Sequence, residues 1–342
     1  IGGISLLRSA AKNYKNVSTM CDITDYDEFV KILNKGKGLI NLNFRKKMAS
    51  KAFALSSKYD SKISQWMGSK NIKFTKFNDK KRKKLRYGEN PHQSAQWYSQ
   101  KEGWGKASQL QGKELSTNNL LDLEAAILTV REFGYNYAKN TSDNSYNPAA
   151  VIIKHTNPCG VAIGDTIDKA LKKALDADRV SAFGGIVALN KPVNKDSAIE
   201  LKSLFLECVV APKFEQEAIE ILQFKTNLRL LELRSEDIEK AEKCQIRSIL
   251  GGVLIQELDI KPNELSTWQI VTDAKPSKQE EKDLLFAWNI VRHVRSNAIV
   301  VAAGGQSLGI GAGQMNRIGA AKIALEQADL KAKNAVLASD GF

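Results

Sequence analysis

The chain has 342 residues, enough for two domains, and its 43% hydrophobic content can supply a sizeable core. Lys and Arg outnumber Asp and Glu 51 to 38, a formal net charge of +13. No apolar run approaches the roughly 18 residues of a membrane-spanning helix, no basic-then-apolar leader is seen, and Cys21, Cys159, Cys208 and Cys244 form no C-x-x-C pair, so the expected protein is cytoplasmic, with reduced thiols and no disulfide framework.

In chain order, LLRSAAKN reads as a helix ending near Lys12-Asn13, VSTMCDI as a short strand and DYDEFVKILNK as a helix. LNFRKKMASKAFALSSKYDSKISQWM is a long helical stretch with apolar residues three to four apart. Residues 70 to 84 form a polar, basic connector, and a domain boundary is placed near 76. Beyond it LRYGENPHQSAQWY is a turn-rich approach to a strand, LLDLEAAILTVREF an amphipathic helix and AAVIIKH a buried strand. DTIDKALKKALDAD, AIELKSLFLE and EQEAIEILQF read as helices, with SAFGGIVALN, CVVAP, LRLLEL and GGVLIQEL as the strands among and after them. QEEKDLLFAWNIVRHV is a helix, SNAIVVAAGGQSLGIGAGQ a strand pair, NRIGAAKIALEQADLKA a helix and Ala335–Ala338 a strand. The alternation predicts an α/β fold without short-period repeats. The chain reads as clipped at both ends.

The most informative string is VIIKHTNPCG, where an apolar, β-branched run reaches Lys154 and His155 and a turn signal follows at Asn157-Pro158. A base and a cation at the carboxyl end of an interior strand suit a catalytic site, although a lone His beside a strand is more often structural. LRYGENPHQ holds Arg86, able to grip a phosphate bidentately, and Tyr87, a hydroxyl donor; the plainer alternative is a capped turn. Asn118-Asn119 reads first as a helix cap, and Phe183-Gly184-Gly185 as either a platform for a flat ring or a strand bulge. Gly309, Gly311 and Gly313 have the wrong spacing for a dinucleotide loop, but small residues ahead of Arg317 suggest a ligand lying close to backbone at a helix start. Three histidines, His92, His155 and His293, and no P-C-x-x-C pair argue against zinc. The run Lys80-Lys81-Arg82-Lys83-Lys84 invites a nucleic-acid reading, but no aromatic-basic interleaving supports it, and steering of small anions accounts for the surplus charge as well.

Taken together, LRYGENPHQ, GKELSTNNLLDLEAA, IIKHTNPCG, SAFGGIVALN, VVAPKFEQEA, GGVLIQ, DLLFAWNIVRHVRSNAIV and GIGAGQMNR closely resemble the bifunctional purine-biosynthesis family. That family joins phosphoribosylaminoimidazolecarboxamide (AICAR) formyltransferase to inosine monophosphate (IMP) cyclohydrolase. The resemblance implies that residues 1–76 are the C-terminal part of a cyclohydrolase domain with a methylglyoxal-synthase-like fold. Residues 77–342 would be a formyltransferase domain of two cytidine-deaminase-like units, truncated at its C-terminus. It implies 10-formyltetrahydrofolate as cosubstrate, no required metal, AICAR as nucleotide substrate, a homodimer with shared sites, and no nucleic-acid or membrane partner. Position by position, Lys154 and His155 match the catalytic pair and Asn297 the residue steadying the formyl oxygen, while Lys12 matches a cyclohydrolase lysine with Arg8 one turn away. Arg86, Tyr87, Asn119, Phe183, Gly184, Glu207 and Arg317 match nucleotide-pocket positions, and Val180 and Ile318 fall near the folate. Where the family usually has a phosphate-binding lysine this chain has Thr226, so Lys225, one step earlier, is the expected substitute.

Overall fold

The computed structural model describes residues 2–67, 82–135, 146–241, 243–259, 263 and 265–341. Two compact units emerge, Ile1–Lys76 and Phe77–Phe342. The basic connector as far as residue 81, the point near 76 and Phe342 lie outside the described residues.

The first unit contains α1 (Gly2–Lys12), α2 (Tyr26–Lys35) and α3 (Leu42–Trp66). Ala11 of α1 and Ala49 and Ala52 of α3 are buried together, and their small side chains let the two helices approach closely, with Tyr14 and Phe53 at the edge of the contact. Asn41 starts α3 by accepting the Phe44 N–H at 2.8 Å. The strand expected over VSTMCDI does not form. Asp22 instead accepts the Thr24 N–H at 3.0 Å and opens a 3-10 turn, and no other strand exists among the described residues of this unit to pair with.

The second unit begins with β1 (Arg82–Lys84), β2 (Gln96–Tyr98), β3 (Ser108–Gln111), α4 (Thr117–Val130), β4 (Ala149–Lys154), β5 (Asn157–Ile163), α5 (Ile167–Ala177) and α6 (Arg179–Ala182). Next come β6 (Gly185–Leu189), α7 (Lys195–Ser203), β7 (Leu206–Ala211), α8 (Gln216–Leu222), β8 (Arg229–Glu232) and α9 (Ser235–Glu239). It continues with β9 (Cys244–Ile249), β10 (Gly252–Glu257), α10 (Lys278–Val291), β11 (Ile299–Ala303), β12 (Gln306–Gly311), α11 (Arg317–Ala328) and β13 (Val336–Ser339).

This is a mixed α/β unit built on a nine-stranded sheet of order β13-β11-β12-β5-β4-β6-β7-β8-β3. Only β6–β7 and β7–β8 are parallel within it. β4 illustrates why the sheet is buried on both faces. Val151 and Ile153 join one core with Leu123, Ile127 and Val130 of α4 and Phe286 and Ile290 of α10. Ala150 and Ile152, alternating with them, join the opposite core with Leu171 and Leu175 of α5 and Leu201 of α7. Each such fully buried aliphatic contributes roughly 1.5–3 kcal/mol of burial.

Two corrections to the sequence reading concern β4. Asn157-Pro158 is not a turn, because Asn157 already pairs with Lys154 as the first residue of β5. Pro158 lies opposite Ile153 beside an irregularity in the ladder, where a missing N–H is tolerated. β4 is also antiparallel to both neighbours, so its end is a hairpin rather than the carboxyl edge of a parallel sheet. β5 and β9 are strands that were not expected. β9 and β10 form a separate two-stranded ribbon.

One arrangement occurs twice. A capped helix, a hairpin, a covering helix and a returning strand run as α4-β4-β5-α5-β6, with the short α6 inserted before β6, and again as α10-β11-β12-α11-β13. The triplets β6-β4-β5 and β13-β11-β12 lie in mirrored order on either side of the β5–β12 pairing.

Candidate active site

The hairpin between β4 and β5 has two turn residues, His155 (φ 50°) and Thr156 (φ 63°). Positive φ at both positions is what a two-residue I′ hairpin requires, and it normally selects Gly, Asn or Asp. For a β-branched residue such as Thr the left-handed region costs about 1–2 kcal/mol. Here Asp122 on α4 accepts the Thr156 N–H at 2.7 Å, and Thr156 Oγ1 donates to His155 O at 2.7 Å. Burial pushes the Asp122 carboxyl above its usual range, against the lowering effect of the Thr156 N–H and the nearby His155, Lys154 and Arg295 charges.

The turn presents His155 as an exposed side chain whose ring makes no hydrogen bond among the described residues. Lys154, half-buried, donates from Nζ to Phe183 O at 2.7 Å. Gly184 packs beneath that ammonium: a Cβ there would lie 3.0 Å from Lys154 Nζ. The Phe183 and Phe205 rings meet at 5.2 Å, and Gly184 N–H donates to Phe205 O at 2.8 Å. Val180 and Phe183 on α6 and its exit are 89% and 58% exposed, and Ile318 on α11 is 71% exposed. Exposed apolar side chains of this kind suit a flat, partly apolar ligand.

Two residues along the chain from Phe205 lies Glu207, one of the positions expected to line a nucleotide pocket. Glu207 at the start of β7 accepts from Arg229 Nη1 at 2.7 Å, and the Arg229 guanidinium also donates to Lys113 O and Glu114 O. Arg229 is 3% exposed and was missed in the sequence reading; its signal was a charged residue inside the apolar strand LRLLEL. Next to Glu114, Leu115 O accepts the Arg86 N–H at 3.4 Å, and Tyr87 O accepts from Thr117 of α4. Arg86 is exposed with its guanidinium 5.3 Å from the centre of the Tyr87 ring. Lys225 donates to Leu204 O at 2.7 Å, and burial with the adjacent Lys202 charge lowers its pKa. A lysine held beside a second ammonium group is suited to an anion.

Asn119 is not the helix cap. Ser116 caps α4, and Asn119 answers it from the third helical position, its Oδ1 accepting the Ser116 N–H at 3.0 Å. On the other side of the hairpin, Asn157 Oδ1 accepts the Arg295 N–H at 3.0 Å. That segment continues to Asn297, whose Nδ2 donates to Gln314 O at 2.9 Å. Arg317 at the start of α11 faces protein groups: it pairs with Asp340 and donates to Ser339 Oγ at 2.7 Å and Gly341 O at 3.1 Å. Gly309 and Gly311 do not make a loop for a ligand, because a Cβ on either would collide with Ala324 O or Ala320 O of α11; they admit that helix onto β12. In the first unit Lys12 is exposed at the end of α1, and Arg8 donates to Ser56 Oγ at 2.9 Å.

Among the described residues no group of three or more His, Cys, Asp or Glu is placed to hold a metal ion. His92 is exposed, and His293 Nε2 lies 2.8 Å from Glu132 Oε1. Desolvation raises the Cys159 and Cys208 thiols to about 12, which removes them as nucleophiles at neutral pH. No described helix is long and apolar enough to cross a membrane.

The family model of the AICARFT/IMPCHase bienzyme matches residues 10–327, which include the β4–β5 hairpin, Arg86, Tyr87, Glu207, Asn297 and Arg317. The chain belongs to that family. The bifunctional purine biosynthesis protein PurH of Prochlorococcus marinus (strain NATL2A) is 55% identical over 347 residues, covering 100% of this chain and 66% of the relative. The protein of the same name from strain NATL1A is 56% identical with the same coverage, and that of Synechococcus sp. (strain CC9311) is 54% identical, covering 100% and 67%. The chain thus spans about 66% of the length of the first two relatives. A chain of Acinetobacter baumannii RibD aligns at 15% identity over 32% of this chain and 34% of its own, with a TM-score of 0.21, too slight a likeness to bear on the fold.

Proposed function

We propose that the second unit carries AICAR formyltransferase chemistry and that the first is the C-terminal part of an IMP cyclohydrolase domain. The observation that carries this reading is the β4–β5 hairpin, which offers Lys154 and His155 side by side at the end of a path of contacts and short chain steps through Phe183, Phe205, Glu207, Arg229 and the Arg86-Tyr87 segment. The doubled helix-hairpin-helix-strand arrangement supports two cytidine-deaminase-like units in the second unit; for the first, a methylglyoxal-synthase-like fold rests on the resemblance alone.

The reaction is attack of the 5-amino group of the imidazole nucleotide on a formyl carbon. The donor, 10-formyltetrahydrofolate, supplies that carbon in activated form, and the exposed Val180 and Ile318 are suited to its ring. His155, unencumbered by hydrogen bonds, takes the amine proton as general base; as the new C–N bond forms, the bond from the formyl carbon to N10 of the folate breaks, and tetrahydrofolate leaves with a proton on N10. Lys154 and the Asn297 amide steady negative charge growing on the formyl oxygen, as preorganised donors do. Arg86, Tyr87, Asn119, Phe183, Gly184, Glu207, Lys225 and Arg317 bind the nucleotide, the last two requiring that Leu204 O and Asp340 give up or share their donors. Lys12 serves ring closure to IMP. The protein works in the cytoplasm as a homodimer with shared sites, without a metal, a membrane or a nucleic acid.

The decisive test is formyl transfer from 10-formyltetrahydrofolate to AICAR by the chain completed to the length of its relatives. His155→Ala should lower turnover by at least about 10²-fold with nucleotide binding nearly unchanged. Wild-type turnover in that variant would refute the assignment. RNA affinity falling steeply with salt and exceeding affinity for AICAR would favour a nucleic-acid module instead.

A further inference from the structure

The doubled arrangement supplies an internal comparison at the site. Each hairpin is gripped from its own capped helix by an aspartate six positions after the capping serine, 116 to 122 and 277 to 283. Asp122 Oδ1 accepts the Thr156 N–H at 2.7 Å, and Asp283 Oδ1 accepts the Gly305 N–H at 3.0 Å. The turns they hold differ. Gly304 (φ 59°) and Gly305 (φ 67°) take the positive-φ pair without penalty, whereas His155 and Thr156 occupy it against their preference. A glycine turn keeps its shape when its anchor is lost; a His-Thr turn has lower-energy alternatives to relax into.

We infer that Asp122 is a positioning residue: through the Thr156 N–H it holds the strained turn that sets Lys154 and His155 in their working geometry. Asp122 is only half-buried and reaches the turn from a different element, so it constrains the hairpin backbone from outside the hairpin itself. Asn157, bonded to the Arg295 N–H, passes the same constraint to the segment carrying Asn297. Displacement of a reacting group by about 1 Å costs on the order of 10²-fold in rate, which sets the scale of the expected effect.

The inference rests on the formyltransferase reading for its kinetic arm and is independent of it for its structural arm. In the completed chain, Asp122→Ala should lower kcat for formyl transfer about 10²-fold while KM for AICAR changes by less than about threefold. Asp122→Asn, which keeps an acceptor oxygen, should recover most of the loss. The double variant Asp122→Ala with Thr156→Gly should regain about tenfold, because glycine adopts the turn unaided. Asp283→Asn should leave kcat per folded molecule unchanged. The structural arm is amide exchange at Thr156, which should accelerate at least about tenfold in Asp122→Ala with the amides of α4 still protected. Wild-type kcat in Asp122→Ala, a loss that only tracks thermal unfolding, failure of the double variant to recover, or an unchanged Thr156 amide would each overturn the role. An inactive completed wild-type chain would overturn the formyltransferase reading instead, and the exchange rate would still decide whether Asp122 holds the turn.

Discussion

The two hairpins of the large sheet share a plan and differ in what occupies their tips. In β11–β12 the tip is Ala303-Gly304-Gly305-Gln306, and in β4–β5 it is Lys154-His155-Thr156-Asn157. Both tips require left-handed backbone at their central pair, and one satisfies the requirement with the residues that adopt it freely. The other places an imidazole and a hydroxyl there, with the Asp122 carboxylate accepting the Thr156 N–H. Local conformational preference has been sacrificed where a side chain is needed and kept where it is not, a pattern expected when one of two equivalent turns bears chemistry.

The comparison is tested most severely by replacing the first tip residue in each hairpin. His155→Ala should reduce formyl transfer by at least about 10²-fold. Gly304→Ala, with nothing within 4 Å of its added Cβ, should leave turnover intact and cost only the left-handed backbone, about 1 kcal/mol. Equal effects on turnover would mean that the two tips are functionally equivalent and that the difference in residue type has been misread.

A smaller effect separates the second tip residues. A Cβ on Gly305 would lie 2.5 Å from Ile163 Cγ1 at a position already at φ 67°, so Gly305→Ala should destabilise by about 2–4 kcal/mol. Thr156→Gly runs the other way. Relief of the left-handed penalty outweighs the extra freedom of glycine in the unfolded chain, and stability should rise by up to about 1 kcal/mol. Urea unfolding of the two variants gives both signs. A Thr156→Gly variant less stable than the parent would show that the threonine side chain contributes more than its backbone costs.

Much of this was legible before the fold was known, for reasons that can be named. The helices with apolar residues at three-to-four spacing, such as α4 and α10, and the continuous apolar run of β4 each carry their burial in their own residues. The position of Lys154 and His155 at a strand end followed from the same run. What escaped were features that depend on partners distant in sequence. β9 is defined by its pairing with β10, and β5 begins at a residue pair, Asn157-Pro158, whose local preference is a turn. VSTMCDI has strand-forming residues and, among the described residues of its unit, no strand to join. Asp122 looked like one acidic residue on an amphipathic helix, and Arg229 like a misfit in a strand, because the groups they hold lie 34 and 22 residues away.

The smallest expected difference lies in how the two capped helices respond to acid. Ser116 is answered by Asn119, and Ser277 by Glu280, in otherwise identical capping boxes. Asn119 cannot titrate. Glu280 accepts the Ser277 N–H at 2.7 Å, and this backbone hydrogen bond, followed by that with the Ser277 hydroxyl, holds its carboxyl below the usual range. A carboxylate with a lowered folded pKa contributes stability that is present above its ordinary value and is lost as pH falls through the lowered one. Asp122 has the opposite sign: burial raises its pKa, so the folded state binds the extra proton and stability declines as pH rises from the ordinary carboxylate range through the raised value. Amide exchange along a series descending below the ordinary carboxylate range should therefore show the start of α10 loosening while that of α4 does not, and Glu280→Gln should abolish the difference. Asp122→Asn should flatten the decline in stability on the alkaline side of that range. Parallel behaviour of the two helix starts in acid would mean that the choice of Asn119 over Glu has no bearing on how the site-bearing half is held.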